Sequence, residues 1–224
     1  MAEVNCRTSP HADLRRASSS GEHPIATVAG VPVPPGVLDA AEARLRTARA
    51  AAALPLSGTS EGRQLRRWLT QLIVTERVVA AEATARGLSA RGAPSEAELL
   101  PDVTARLEIG SVAAAVLADP RARALFADVT AAVQVPDTEV AAYHARNPLR
   151  FAAPRRAEHG WHTPALAGPP LDEVRSAIEE HLLGAARRRA FRLWLDARRA
   201  ALVELAPGYE HPGDPRQPDN THRH

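Results

Sequence analysis

The stretch Thr59-Ser-Glu-Gly-Arg-Gln-Leu65-Arg-Arg-Trp-Leu69-Thr-Gln-Leu72-Ile73-Val-Thr-Glu76-Arg-Val-Val79-Ala80-Ala-Glu-Ala83-Thr-Ala-Arg-Gly87 decides the fold class. Leu65, Leu69, Leu72, Ile73, Val79, Ala80 and Ala83 recur mostly at helical spacing, and Glu76 is the polar exception on that stripe. Thr59 or Ser60 offers an N-cap oxygen, and Gly87 offers a residue free to take the left-handed conformation that ends helices. These signals predict the longest helix of the first half of the chain.

Similar punctuation runs outward in both directions. Upstream, Ile25-Ala-Thr-Val-Ala-Gly-Val-Pro-Val-Pro34 alternates β-formers around Gly30 and predicts a short hairpin or paired turn. Pro34-Pro35-Gly36 then opens a helix of about 18 residues ending at Pro55, because proline in a first turn gives up only an N–H that had no partner. Downstream, Ser95-x-x-Glu98 is a capping box before a third helix through about Leu107, which Pro101 shortens or offsets. Asp119-Pro120 starts a helix carrying Leu125, Phe126, Val129 and Val133. Val135 to Glu139 starts another that ends near Asn147-Pro148. Between Leu149 and Pro170, Pro154, Pro164, Pro169 and Pro170 with Gly160 and Gly168 mark an extended connector. The last helix runs from about Leu171 to Leu205. Its buried stripe is Val174, Ile178, Leu182, Ala185, Phe191, Trp194, Leu195, Leu202 and Leu205, and Pro207-Gly208 ends it.

Composition agrees with an all-α fold of five or six helices. Apolar residues are 45% of the chain but aromatics only 4%, and alanine-rich, aromatic-poor sequence favours close-packed helices over a sandwich. All 28 basic residues are arginine, which fits the codon usage of a GC-rich bacterial genome. A net charge of +2 supplies no general field for nucleic acid. Cys6 stands alone, so neither a disulfide framework nor a cysteine zinc cage is available. No apolar run is long enough to span a bilayer, and the N-terminal segment has no hydrophobic signal core. A cytoplasmic protein without a membrane partner is therefore expected. The organisation reads as a disordered arm at 1–24, a helical domain at 25–206 with the connector 149–170 inside it, and a tail at 207–224 rich in histidine, proline and aspartate.

Four segments carry a family resemblance. Ala26-Thr-Val-Ala-Gly-Val-Pro-Val33 is a short strand and turn before the first helix. Leu72-Ile73 through Ala81-Glu-Ala-Thr-Ala-Arg-Gly-Leu88 and Val135-Pro-Asp-Thr-Glu-Val-Ala-Ala-Tyr-His-Ala-Arg-Asn-Pro-Leu-Arg-Phe151 follow. Pro170-Leu-Asp-Glu-Val-Arg-Ser-Ala-Ile-Glu-Glu-His-Leu182 opens the final helix, with Arg189-Ala-Phe-Arg-Leu-Trp-Leu195 beyond it. Together, over roughly 25–205, they resemble the chaperone part of the SurA/PrsA family of parvulin-type prolyl isomerases. The isomerase domain that the family places between Phe151 and the final helix is missing. Glu158-His-Gly-Trp-His162 resembles its last strand, but a connector this short cannot build its sheet and cleft. The resemblance implies a SurA N-terminal-like helical domain with a short hairpin, in which the long helices at 60–87 and 171–205 pack together. It also implies a non-catalytic chaperone or maturation factor that holds an unfolded or dedicated polypeptide client. The groove would be lined by apolar residues of the helices between Leu65 and Val133.

Two other chemistries are written in the residues. Gly58-Thr-Ser60-Glu-Gly62 matches the G-x-S-x-G elbow of hydrolases and acyl-carrier malonyltransferases, with Ser60 as acyl nucleophile. That elbow needs a buried strand before it, whereas Leu54-Pro-Leu-Ser57 closes an alanine-rich helix, so a capped turn is the simpler reading. In the tail, His211, Asp214, Asp219, His222 and His224 supply enough nitrogen and oxygen for a divalent transition metal, against the simpler expectation of a solvated terminus. His159 and His162 flank Trp161 in the connector, where a base or ligand role competes with plain strand pairing. Arg187-Arg188-Arg189 and Arg198-Arg199 read as a solvated face paired with Glu179, Glu180 or Asp196. Trp68, Phe126, Phe191 and Trp194 read as core.

Overall fold

The computed structural model describes residues 23–214 except 49–50, 153–154, 157–161 and 164–167. Strands β1 (Ala26–Val28) and β2 (Val31–Val33) form an antiparallel hairpin. Its two turn residues, Ala29 and Gly30, both have positive φ, 49° and 77°. That is the mirror-image turn whose twist matches paired strands. Pro32 lies in β2, which is an edge strand and can spare an N–H.

Eight helices follow among the described residues, where five or six are expected from sequence. Helix α2 (Ser60–Ala85) is where the punctuation puts it. Helix α1 (Pro35–Thr47) starts at the expected prolines but has 13 residues and ends at Thr47, well before Pro55: Ala48 is already extended, and a separate 3-10 turn covers Ala51–Ala53. The third segment is split. Ser95 and Glu98 do form a reciprocal capping box, but α3 spans only Glu96–Leu99. Leu100, the residue before Pro101, leaves helical geometry at φ −129° and ψ 65°, as steric clash with a following proline ring requires. Asp102 then recaps the chain, its Oδ1 accepting from Ala105 N at 2.8 Å, and α4 spans Val103–Ile109. Gly110, at φ 89°, turns the chain into α5 (Ser111–Val116). Helix α6 (Pro120–Val129) stops at Thr130, short of Val133. Helix α7 spans Asp137–Arg146, and short strands β3 (Arg155–Arg156) and β4 (His162–Thr163) pair within the connector.

Helix α8 (Leu171–Leu202) is the longest, with 32 residues. It ends one turn earlier than its apolar spacing suggests, because Val203–Leu205 become β5 and pair antiparallel with β1. The strand order is β2-β1-β5. Ala29 N donates to Leu202 O and Ala206 N to Ile25 O, so both ends of the domain are stitched together.

The larger core gathers Ile25, Val33, Leu38, Val74, Val78, Leu117, Leu125, Phe126 and Phe191, all nearly or fully buried. The Phe126 and Phe191 rings lie 5.0 Å apart, Trp194 stacks on Phe191, and the Arg86 guanidinium sits over Trp194. A smaller core unites α7 with the first half of α8: Val140, Val174 and Ile178 are buried, and Tyr143, Phe151 and Leu182 pack against them. The arginines of α8 are not simply a solvated face. Arg198 reaches the buried carboxylate of Glu82 on α2, and Arg188, itself 6% exposed, bonds Glu108 and the Leu99 carbonyl. No described helix is long and apolar enough to cross a membrane.

Candidate functional site

One face of α2 combines with α5 and the start of α6 to leave a groove of about 540 Å³. The cap of α2 fixes its start, with Thr59 Oγ1 accepting from Gly62 N at 3.0 Å. On the far wall Asp119 caps α6, accepting from Arg121 N at 2.6 Å, and Pro120 follows at the first helical position. Val79, Val116 and Ala122 form a buried floor, while Ala80, Ala118, Glu76 and Asp119 are exposed along the rim. Alanine on both walls keeps side chains short, so a third segment of chain can approach the backbone of α2 and α5 closely.

The charged groups around this groove are unequally committed. Arg77 donates to the Pro32 carbonyl at 3.2 Å, and Arg121 donates to Thr84 Oγ1 at 3.0 Å. Asp119 is held by its capping bond. Glu76 has no hydrogen bond or ion pair among the described residues. The residue is exposed overall, but partial desolvation of its carboxyl in the groove raises it above the usual carboxylate range; Arg44 opposes that shift and Asp119 adds to it. The groove can therefore bind, with apolar walls and one unmatched carboxylate, but it brings together no nucleophile and base.

A second cavity, about 720 Å³, lies where α8 crosses α3 and α6. Leu99, Phe126, Ala127 and Leu183 line it, with Glu98, Glu180, Arg187 and Arg188. Two of its charges are committed, Glu98 to the Ser95 cap and Arg188 to Glu108. It is the more polar of the two.

Ser60 is the first residue of α2. A one-turn 3-10 segment, Ala51–Ala53, and a turn lead into it, and no strand does so among the described residues. No imidazole bonds to Ser60 there. Beside it, Glu61 is held below the usual carboxylate range, first by its own backbone N–H and then by the Ser60 and Thr59 hydroxyls. This is helix-start geometry. Of the proposed metal ligands, Asp219, His222 and His224 lie outside the described residues. His211 Nδ1 accepts from Gly213 N at 3.0 Å and Asp214 N donates to the His211 carbonyl, which closes a turn. No group of three or more metal-binding side chains occurs among the described residues. His162 lies in β4, and His159 and Trp161 fall outside the described residues.

The start of the tail has a role that its composition does not announce. Gln71, 1% exposed in the middle of α2, donates to the Tyr209 carbonyl at 3.0 Å, and Arg67 donates to the Gly208 carbonyl at 3.3 Å. A buried glutamine and arginine inside an apolar helix were the available signal, since such groups need partners. Glu76 was likewise visible as the break in the α2 stripe, but its opposite wall came from 115–122, which sequence spacing alone does not bring across.

The family model of a family of unknown function (DUF7158) matches residues 24–61, the hairpin, α1 and the entry to α2. Neither a curated protein nor a solved structure matches the chain.

Proposed function

We propose that this protein is a non-catalytic polypeptide-binding factor, organised like the chaperone part of the SurA-type proteins it resembles, which holds a client segment in the groove between α2, α5 and α6. The carrying observation is that groove: an alanine- and valine-lined channel inside the span between Leu65 and Val133, with an exposed rim. Its volume falls in the range of about 300–1,000 Å³ typical of ligand sites, enough for a few residues and far too small for a folded domain. The return of α8 and β5 to the N-terminal hairpin supports the same reading, because the resembling family completes its chaperone domain with the C-terminal helix. A rigid scaffold closed in this way can keep an open groove without collapsing onto it.

The test is suppression of aggregation. A chemically unfolded model protein is diluted into buffer with the full chain, and light scattering is followed. The chain is expected to lower scattering at comparable molar amounts. Ala118→Trp, which fills the rim at an exposed position, is expected to abolish the effect while leaving the circular dichroism unchanged. No suppression by the full chain, or full suppression by the tryptophan variant, overturns the assignment.

A further inference from the structure

We infer that the groove between α2, α5 and α6 selects client segments that carry a lysine or arginine side chain among small residues, the cation meeting Glu76; this rests on the client-binding reading above.

The argument begins with what any occupant does to Glu76. The carboxylate lines the groove and has no hydrogen bond or ion pair among the described residues, Arg44 acting on it only at longer range. Of the other charged groups of the lining, Asp119 caps α6, while Arg77 and Arg121 donate to the neutral oxygens of Pro32 and Thr84 and keep their charge; Glu76 alone has no hydrogen bond among the described residues. Filling the groove removes water from Glu76. An unpaired carboxylate out of water is strongly unfavourable, so an apolar or neutral occupant works against itself unless Glu76 takes up a proton. An acidic occupant is drawn to Arg77 and Arg121 but repelled by Glu76 and Asp119, and it still leaves Glu76 without a partner. A cation restores what the lost water supplied.

Shape points the same way. The floor of Val79 and Val116 is apolar and buried, while Glu76 stands at the rim. Lysine and arginine suit such a step, because their methylene stems lie along apolar surface while the charged head stays at a polar edge. The walls, Ala80, Ala115, Ala118 and Ala122, leave room for a client backbone flanked by small side chains. Bulky neighbours on the client would compete for the same 540 Å³.

The test uses the full chain and three labelled peptides, alike in an alanine-rich frame and differing at one central residue: arginine, its uncharged isostere citrulline, or glutamate. Binding is read by fluorescence anisotropy at low and high salt. The arginine peptide is expected to bind about fivefold more tightly than the citrulline peptide at low salt, the size of one partly exposed ion pair. That gap should close in Glu76→Gln, an exposed and structurally mild change checked by circular dichroism, and should narrow in high salt. Equal affinity for arginine and citrulline, a preference for glutamate, or a gap that survives in Glu76→Gln overturns the cation assignment. In those cases loss of binding in Ala118→Trp still upholds the groove. Binding of none of the peptides overturns the client reading, and this inference with it.

Discussion

The two halves of α8 sit in different kinds of core. The C-terminal half puts Phe191 and Leu195 into a core whose other members begin at Ile25, so its contacts join opposite ends of the chain. The N-terminal half puts Val174 and Ile178 against Val140 of α7, a pairing of near neighbours on either side of the connector. The first core is almost all aliphatic and phenylalanine. The second is small and holds a half-buried histidine, His181, whose ring lies 5.5 Å from Tyr143 and 6.1 Å from Phe151. One helix thus closes the domain at one end and, at the other, pairs with α7 while lying beside α4. Stability need not be shared equally along it, since units with few buried contacts open at lower free energy than the global core.

Truncating one residue in each half tests that asymmetry most directly. Phe191→Ala removes a fully buried ring touching both Phe126 and Trp194 and is expected to cost about 3–5 kcal/mol. That is a large share of a typical domain's stability. Ile178→Ala is expected to cost about 2 kcal/mol, the low end for such a change, because the smaller core can relax around the loss. Urea unfolding followed by hydrogen exchange separates them. Phe191→Ala should lower protection throughout, and Ile178→Ala mainly in α7 and the first turns of α8. A uniform loss in both variants breaks the comparison, and α8 then transmits stability along its whole length.

The polar ties come next in size. Glu82 is 7% exposed and bonds Arg86 on its own helix and Arg198 on α8. Glu82→Ala removes the anion that Arg86 and Arg198 share and leaves Arg86 only its pair with Asp128 at 3.3 Å. Breaking a buried pair costs about 3–5 kcal/mol, but both arginines are about a third or more exposed, so water screens them and about 2 kcal/mol is expected. The loss should fall on the larger core. Thermal unfolding that shows no change would mean that this triad contributes geometry without net stability.

Acid should separate the two regions without any mutation. Burial first, then Arg150, with Arg188 in the same sense, lowers His181 below its ordinary 6.5; Glu108 and Asp102 oppose. Above 6.5 the imidazole is neutral in the folded and unfolded chain alike. As pH falls below that value the unfolded chain binds a proton that the folded chain resists, so stability is lost down to the lowered folded value. Glu82 and Glu42 behave differently. Burial would raise each carboxyl, but bonds from Arg86 and Arg198, and from Arg46 and Arg66, hold both below 4.5. Their contribution is present above 4.5 and lost as pH falls through the lower folded values. Protection of α7 amides should therefore decline as pH falls below 6.5, before the larger core responds. Simultaneous loss would show that the smaller core has no independent opening.

The legibility of the molecule in its sequence divides along a related line. Features set by neighbouring residues were readable: the Thr59 cap, the stop at Gly87 with φ 65°, the Ser95–Glu98 box, the Asp119-Pro120 start. Features decided across the chain were not. Val203 and Leu205 continue the apolar spacing of α8, and only the open edge of β1 makes them a strand. Residues 206–209 lie on α2 because buried Gln71 and Arg67 need acceptors there. Helix α5 has no side-chain cap, so alanine-rich sequence gave it no visible beginning. The groove followed the same rule. Its Glu76 wall was marked by a break in periodicity, whereas its far wall depended on how α5 and α6 pack.

The smallest effect lies in the hairpin, and it tests whether the larger core can be tuned alone. Ala29 is exposed, at φ 49°, in a turn that needs two positive φ values. A β-carbon in the left-handed region costs about 1–2 kcal/mol, and asparagine tolerates that conformation better than alanine in this turn type. Ala29→Asn should therefore raise stability by about 0.5 kcal/mol, seen as a small upward shift in the urea midpoint with an unchanged slope. Because Ala29 N also ties the hairpin to α8 by donating to the Leu202 carbonyl at 2.8 Å, the gain should appear in β1, β5 and the end of α8. Amides of α7 should not change. A gain shared by α7 would mean that the hairpin end and the far end of α8 open together, and the two cores would then be one cooperative unit.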